Sequence, residues 1–378
     1  MTNKLQNELQ SKTIDWLRFP LAIAVVFIHM NIVVDMQGID YSSLSGHDIY
    51  TVSVALVSHV LANIAVPCFF MFSGFLFFYK TEWNKKVYLN KIKSRTKTLI
   101  IPYVLWNIIA VFIFATLKLI KMDGSIAIYL KDLYDNGLCR IFWNYSVWGE
   151  HETNMLGWLI PHYGPYLVPL WFLRDLIIMV FLSPLVYWFV KYTKYVGIIL
   201  LGILYYTKIG FIIPGFSTSL FLTAAFFFCL GAYFSVHEKN MVVSLRKGKL
   251  FWLLLAIVTL VLSTYYDGSE MKKYFSPLYV LSGVITAVNI SSFFIERKKI
   301  KVSDTLSKAS FFIYATHGIL ILSWTGRLFD KIFQSESVII LLIRYICVPL
   351  ICVGICLSIY CLMKRFTPKI LSLLTGNR

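Results

Sequence analysis

Ten long apolar runs recur from one end of the chain to the other, at 17–36, 52–79, 98–120, 169–190, 195–213, 218–236, 250–266, 275–295, 309–326 and 337–363, separated by short polar or basic interruptions. Each is long enough to cross a bilayer, which takes roughly 20 apolar residues. Backbone amides in hydrocarbon must bond within their own segment, so the runs predict helices and an all-α polytopic membrane bundle of about ten spans. No stretch is left for a separate globular unit, and residues 1–378 read as one transmembrane domain. Pro67, Pro102, Pro184 and Pro349 mark kinks or helix ends. The opening MTNKLQNELQSKT is polar and no small-residue cleavage site follows, so the first run reads as a retained membrane helix.

Composition agrees with this reading: 58% of residues are hydrophobic, 15% are charged, and mean hydropathy is +0.70. With the N-terminus on the cytoplasmic side, 25 of the 36 lysines and arginines fall in inner loops or at the termini. That asymmetry is the positive-inside pattern, and it places both termini on the cytoplasmic side of a cell membrane. Charge of +17 is therefore assigned to topology and contact with anionic lipid, and no nucleic-acid partner is expected. Six of the seven cysteines lie inside apolar runs. Cys347, Cys352, Cys356 and Cys361 read as small hydrophobes, and no disulfide framework, CxxC pair, HExxH or phosphate-binding glycine loop is present. No metal site is assigned.

Four polar interruptions of apolar sequence stand out. In DWLRFPLAIAVVFIHMNIVV (15–34), Arg18 and His29 are eleven residues apart. That spacing is roughly 16 Å along a helix and about 20° from alignment, so both lie on one stripe, Arg18 at the inner boundary and His29 about halfway across. An arginine there can simply snorkel, and a histidine can serve only to bond a neighbouring carbonyl. Ionisable groups inside a membrane are costly, however, and tend to line pathways or reaction sites. In VPCFFMFSGFLFF (66–78), Ser73 and Gly74 interrupt an aromatic wall and let a helix or a slender ligand approach the backbone. PLWFLRDL (169–176) carries Arg174 and Asp175 into the fourth run. In SFFIYATHGIL (310–320), Ser310, Tyr314 and His317 share one helix face.

These four stretches, in this order, resemble the membrane acyltransferase-3 family. That family carries Arg, ten residues and His in its first helix, then an FFxxSGFL-like stretch, a WFLRDL-like stretch and a late Tyr-x-x-His element. Here Arg18 and His29, Phe69 to Leu76, Trp171 to Asp175, and Tyr314 with His317 match them. One departure concerns the Arg-x-x-Arg that precedes Leu-x-x-Pro-Tyr in relatives: Arg95 is present, but Thr98 takes the second position. Lys91, Lys93 or Lys97 are left to supply the missing charge.

The resemblance implies transfer of an acyl group, most often acetyl, from cytoplasmic acyl-CoA to a cell-surface or lipid-linked glycan. No cofactor is permanently bound in that scheme; acyl-CoA is the donor substrate. His29 is expected to act as base or acyl relay, with Arg18 as its donor-side partner. Ser73, Gly74, Arg95 and Lys97 are candidates for binding the donor, and Arg174, Asp175, Tyr314 and His317 for binding the acceptor or supporting the site. The outer loop, 121–168, is rich in Trp, Tyr, His and Gly, which suits a sugar ring or equally an interfacial belt. Glu150, His151 and Glu152 are its candidate polar contacts. About 15 residues follow the last run, so either the acceptor is acylated directly or a separate chain completes the transfer. The main rival is a secondary transporter or glycan exporter, in which the same His, Arg and Asp groups form a proton or substrate path. No internal repeat supports it, and a buried-histidine acyltransferase of the MBOAT type lacks the Arg18 to His29 spacing.

Overall fold

A computed structural model describes residues 3–120, 125–147, 152–210, 215–335 and 337–377. The chain is mostly helical, and among the described residues seven helices are long and apolar enough to cross a membrane. In chain order the elements are α1 (Asn3–Ile28), α2 (Gly46–Phe78) and α3 (Lys85–Ile120). Next come α4 (Ser125–Asp135), α5 (Trp171–Phe181) and α6 (Ser183–Thr207). They are followed by α7 (Thr218–Val236), α8 (Met241–Leu245) and α9 (Lys249–Tyr265). The chain closes with α10 (Lys272–Glu296), α11 (Asp304–Ile332), α12 (Val338–Phe366) and α13 (Pro368–Thr375).

The first apolar run is displaced from its expected bounds at both ends. The polar opening is itself helical, because Leu9, Thr13, Ile14 and Leu17 share a buried face at helical spacing. Gln10 on that face accepts the Met241 N–H at 2.7 Å. At the other end the helix stops at Ile28, and residues 31–35 are not helical although Ile32, Val33 and Val34 are apolar, with Asn31 in the left-handed region at φ 50° and Val33 92% exposed. His29 therefore sits at the C-terminal end of α1, not within it.

Other parts of the bundle bend as well. A π-helical turn at Ala55–Val60 and a 3₁₀ turn at Leu61–Ile64 interrupt α2 ahead of Pro67. Leu182 ends α5 in front of Pro184, yet the Leu182 and Val186 amides still bond back to Ile178 and Leu182, so the chain bends without reversing. Lys194 (φ 52°, ψ −132°) divides α6 sharply, at the position where two short runs were separated by sequence. Past that point Gly197 lies so close that a Cβ would meet the Phe189 ring at 2.7 Å.

The core is aromatic, with Phe70, Phe75, Phe77, Phe227, Phe228 and Phe312 fully buried. Its tightest crossing is between α2 and α7. A Cβ on Gly74 would lie 2.8 Å from the Phe228 carbonyl carbon, and one on Gly231 2.8 Å from that of Met71. Reciprocal glycines let the two backbones touch, the usual device where helices pack without a hydrophobic driving force. Gly74 thus faces a helix and not a ligand channel. By contrast α12 exposes Ile343, Ile346, Leu350, Ile351 and Ile355 along one side, a lipid-facing surface.

The outer loop is folded rather than loose. Two short antiparallel ladders form, Ser146–Val147 with Tyr163–Gly164 and Glu152–Thr153 with Leu159–Ile160. Tyr129 and Tyr166 hydroxyls lie 2.8 Å apart. Of the three polar candidates in this loop, Glu150 and His151 lie outside the described residues, and Glu152 is described only by its backbone pairing.

Candidate active site

A cavity of about 400 Å³ opens between α1, α2, α3, α5 and α11. Arg18, Arg95, Ser307, Lys308 and Asn377 gather among its lining residues, together with Ser73. Phe69, Phe172, Phe311 and Tyr314 supply much of the apolar remainder. A basic cluster combined with an aromatic slot fits a ligand with an anionic head and a slender arm.

Arg18 is held by Asp15, 3.1 Å away and one turn earlier on α1. Its side chain remains about one-third exposed, so the pair leaves guanidinium donors free for an anion. Arg95 lies over the Phe77 ring at 5.8 Å. Lys97, two residues on, is exposed and does not line the cavity. Lys308 bonds Asp304 at 2.8 Å on the surface of α11. Nothing in the sequence distinguished Lys308 from the other basic residues of that loop, and Asn377 reaches the cavity only because α13 folds back on α3. Trp106 fixes that fold-back by donating to the Leu374 carbonyl at 2.9 Å.

Three residues along α11 from Tyr314 stands His317. Its ring centre is 5.0 Å from that of His29. Arg18 and His29 therefore both face α11, as the shared stripe requires. His317 is fully buried, and its Nδ1 donates to the Ile313 carbonyl at 3.1 Å. That bond fixes the tautomer, so Nε2 is a proton acceptor. It has no hydrogen-bond partner among the described residues, and a buried acceptor left unpaired is costly enough to point to use. Tyr314 donates to the Pro169 carbonyl, tying α11 to the start of α5, while its ring contacts Phe172 edge-on at 5.8 Å.

Arg174 and Asp175 belong to a different neighbourhood. Both are buried and bonded to each other at 2.8 Å. Arg174 also donates to the carbonyls of Trp143 (2.7 Å) and Tyr163 (3.0 Å) and lies over the Trp143 ring. Its position pins the outer loop to α5, while Phe172, Leu176 and Val180 of the same helix face the cavity.

Sequence reading passed over His59, although the signal that marks His29, an ionisable residue within an apolar run, marks it equally. It lies in the π-helical turn of α2, with Nδ1 2.5 Å from Asp267 and Nε2 2.8 Å from the Ile32 carbonyl. Its partner is distant in sequence, which hides the constellation from any local pattern.

Fold and site together define a multi-pass membrane protein with a basic-mouthed, aromatic cavity lined as far as Tyr314 and, one helical turn further along α11, two apposed histidines that do not line it. Residues 11–361 match the acyltransferase domain of the acyltransferase-3 family, and the chain belongs to that family. It is also similar to the succinoglycan biosynthesis protein ExoH of Rhizobium meliloti (strain 1021), with 27% identity over 332 residues, covering 84% of this chain and 80% of that protein. No solved structure matches the chain.

Proposed function

We propose that this membrane acyltransferase moves an acyl group, acetyl by preference, from cytoplasmic acyl-CoA to a hydroxyl of an extracytoplasmic or lipid-linked glycan. The observation that carries the reading is the line of groups along one face of α11. Ser307 and Ser310 with Arg18 begin it, Tyr314 continues it, and His317 against His29 ends it. Phosphates of the donor pair with Arg18, Arg95 and Lys308, and the thin pantetheine arm follows the aromatic slot past Ser73. A glycan acceptor is supported by the succinoglycan relative. In this reading the seven long helices, α1, α9 and the division of α5–α6 at Lys194 make ten crossings in a bacterial cytoplasmic membrane, with both termini inside.

In the direct route, His29 takes the proton of the acceptor hydroxyl as its oxygen attacks the thioester carbonyl. Collapse of the tetrahedral species breaks the C–S bond, and the departing thiolate recovers the proton. Such a positioned base is worth about 10²–10⁴-fold. In the relay route a His29 nitrogen attacks the thioester carbonyl and the C–S bond breaks to release the CoA thiolate; the acceptor oxygen then attacks the acyl carbon, the C–N bond breaks, and the hydroxyl proton passes to the freed imidazole. Unpartnered Nε2 of His317 suits either route as the group that orients the His29 ring or accepts a proton from it.

The test is acetyl-CoA binding and slow acceptor-free hydrolysis by purified protein in lipid nanodiscs. Native protein binds and hydrolyses, His29→Ala binds without hydrolysis, and Arg18→Ala loses binding. Folded native protein that neither binds nor cleaves any acyl-CoA refutes the reading and turns attention to a transport path.

A further inference from the structure

His29 is presented at a helix end, where backbone carbonyls run out of intrahelical partners, and the irregular turn of α2 takes over at that place. Two consecutive residues of its π-helical turn grip the chain on both sides of His29. Ser58 Oγ donates to the Phe27 carbonyl at 2.9 Å and lies 2.8 Å from the Tyr345 hydroxyl. His59 Nε2 meets the Ile32 carbonyl at 2.8 Å, and its Nδ1 meets Asp267 at 2.5 Å. Both partners of the His59 ring are oxygen acceptors, a carbonyl and a carboxylate. A neutral imidazole has one N–H and would set a lone pair against one of them, so the arrangement requires the doubly protonated ring.

We propose that His59, held as an imidazolium by Asp267, is a positioning residue for His29, fixing the backbone after α1 so that the His29 ring stands against His317. The proposal rests on the catalytic reading of His29 given above.

The charged surroundings fit this role. Asp267 comes from the turn between α9 and α10 and is also paired with Lys272, which anchors the carboxylate from its far side. Lys208, at the end of α6, adds positive charge near Lys272. On the gripped segment, Asp35 is exposed and bonds the Gln37 amide. On α12, Arg344 is engaged with Asp330, and Tyr345 serves Ser58. Glu270, in the same turn as Asp267, pairs with Lys273. Asp267 is thus the one carboxylate among the described residues that touches His59. Asn63 stiffens the turn further by donating to the His59 carbonyl at 2.6 Å. π-Helical turns of this kind recur at functional sites.

The experiment compares native chain, Asp267→Asn, His59→Gln and Ser58→Ala in nanodiscs. Asp267→Asn keeps the shape and an acceptor for Nδ1 but removes the counter-charge, so it remains informative if His59→Gln folds poorly. Hydrolysis of acetyl-CoA is expected to lose roughly ten- to hundred-fold in kcat in His59→Gln, with KM nearly unchanged, because misplacement of about 1 Å costs that much. In Asp267→Asn kcat falls in the same direction, with KM again nearly unchanged. Independently of activity, nitrogen-15 spectra of the seven histidines, assigned with His29→Ala and His59→Gln, show a doubly protonated His59 at neutral pH and a displaced His29 signal in Asp267→Asn. A neutral His59 in the native spectrum overturns the proposal, as does an unchanged His29 signal with unchanged kcat in both variants. Native protein without activity but with the predicted spectra refutes the catalytic reading and leaves the clasp standing.

Discussion

Replacing Gly74 or Gly231 by alanine tests whether the α2–α7 crossing is as close as described. The new methyl carbon at Gly74 would stand 2.8 Å from the Phe228 carbonyl carbon, closer still to its oxygen, where ordinary contact begins at 3.4 Å. Backbone cannot swing aside as a side-chain tip does, so the helices must part by about 0.6 Å or more, a gap that forfeits a quarter to a half of each lost dispersion contact. Around this crossing lie Phe75, Phe77, Phe227 and Phe228, all fully buried, and the Ser235 bond to the Phe75 carbonyl at 2.6 Å. The expected cost is about 1–3 kcal/mol per alanine, the usual range for overpacking a filled core. The two substitutions act on one contact, so the double variant should cost less than the sum by at least about 0.5 kcal/mol. SDS-driven unfolding in mixed micelles measures all three. Full stability in Gly74→Ala, or strict additivity in the double variant, refutes the close crossing.

Arg95→Ala and Lys308→Ala should each raise KM for acetyl-CoA several-fold, leave kcat within about two-fold, and weaken the salt dependence of binding, as expected for groups that only hold a phosphate; a fall in kcat at constant KM contradicts that assignment. Arg174→Met leaves Asp175 buried without its cation and should cost about 3–5 kcal/mol in the same unfolding assay, whereas an exposed pair would cost under about 1 kcal/mol. Burial by itself would raise the Asp267 carboxyl, but the His59 and Lys272 partners outweigh it and hold the group below the usual carboxylate range. Its stabilisation is therefore present above roughly pH 4 and is lost as pH falls through the lower folded value, so native and Asp267→Asn melting temperatures should converge in acid; a constant difference down to the lowest pH is the contrary result.

Much of the bundle was legible because the membrane restricts the choices. Apolar length marked the spans, and the lysine between two short runs fell at the sharp turn of Lys194. Where the reading missed, the cause lies in features that hydropathy does not register. The helix of Asn3–Ile28 begins in polar sequence because a single stripe, Leu9 to Leu17, is enough to bury one face. It ends early because the chain turns left-handed at Asn31, and Ile32 to Val34 beyond it, although apolar, are not helical. Within the site, Arg18, His29 and His317 were found as charges out of place in apolar sequence, and they converge on α11. Ser73 and Arg95 line the cavity, whereas Gly74 is used for helix packing, Lys97 faces outward, and Arg174 with Asp175 secures the loop. Lys308, Asn377 and His59 depend on contacts between distant elements, which no local spacing encodes.

The most direct test of the account supplies radiolabelled acetyl-CoA to sealed membrane vesicles of known orientation carrying native protein or His29→Ala. The account predicts label in the glycan fraction only when acetyl-CoA meets the cytoplasmic face, and only with His29 present. Equal labelling by His29→Ala, or labelling driven from the outer face, contradicts it.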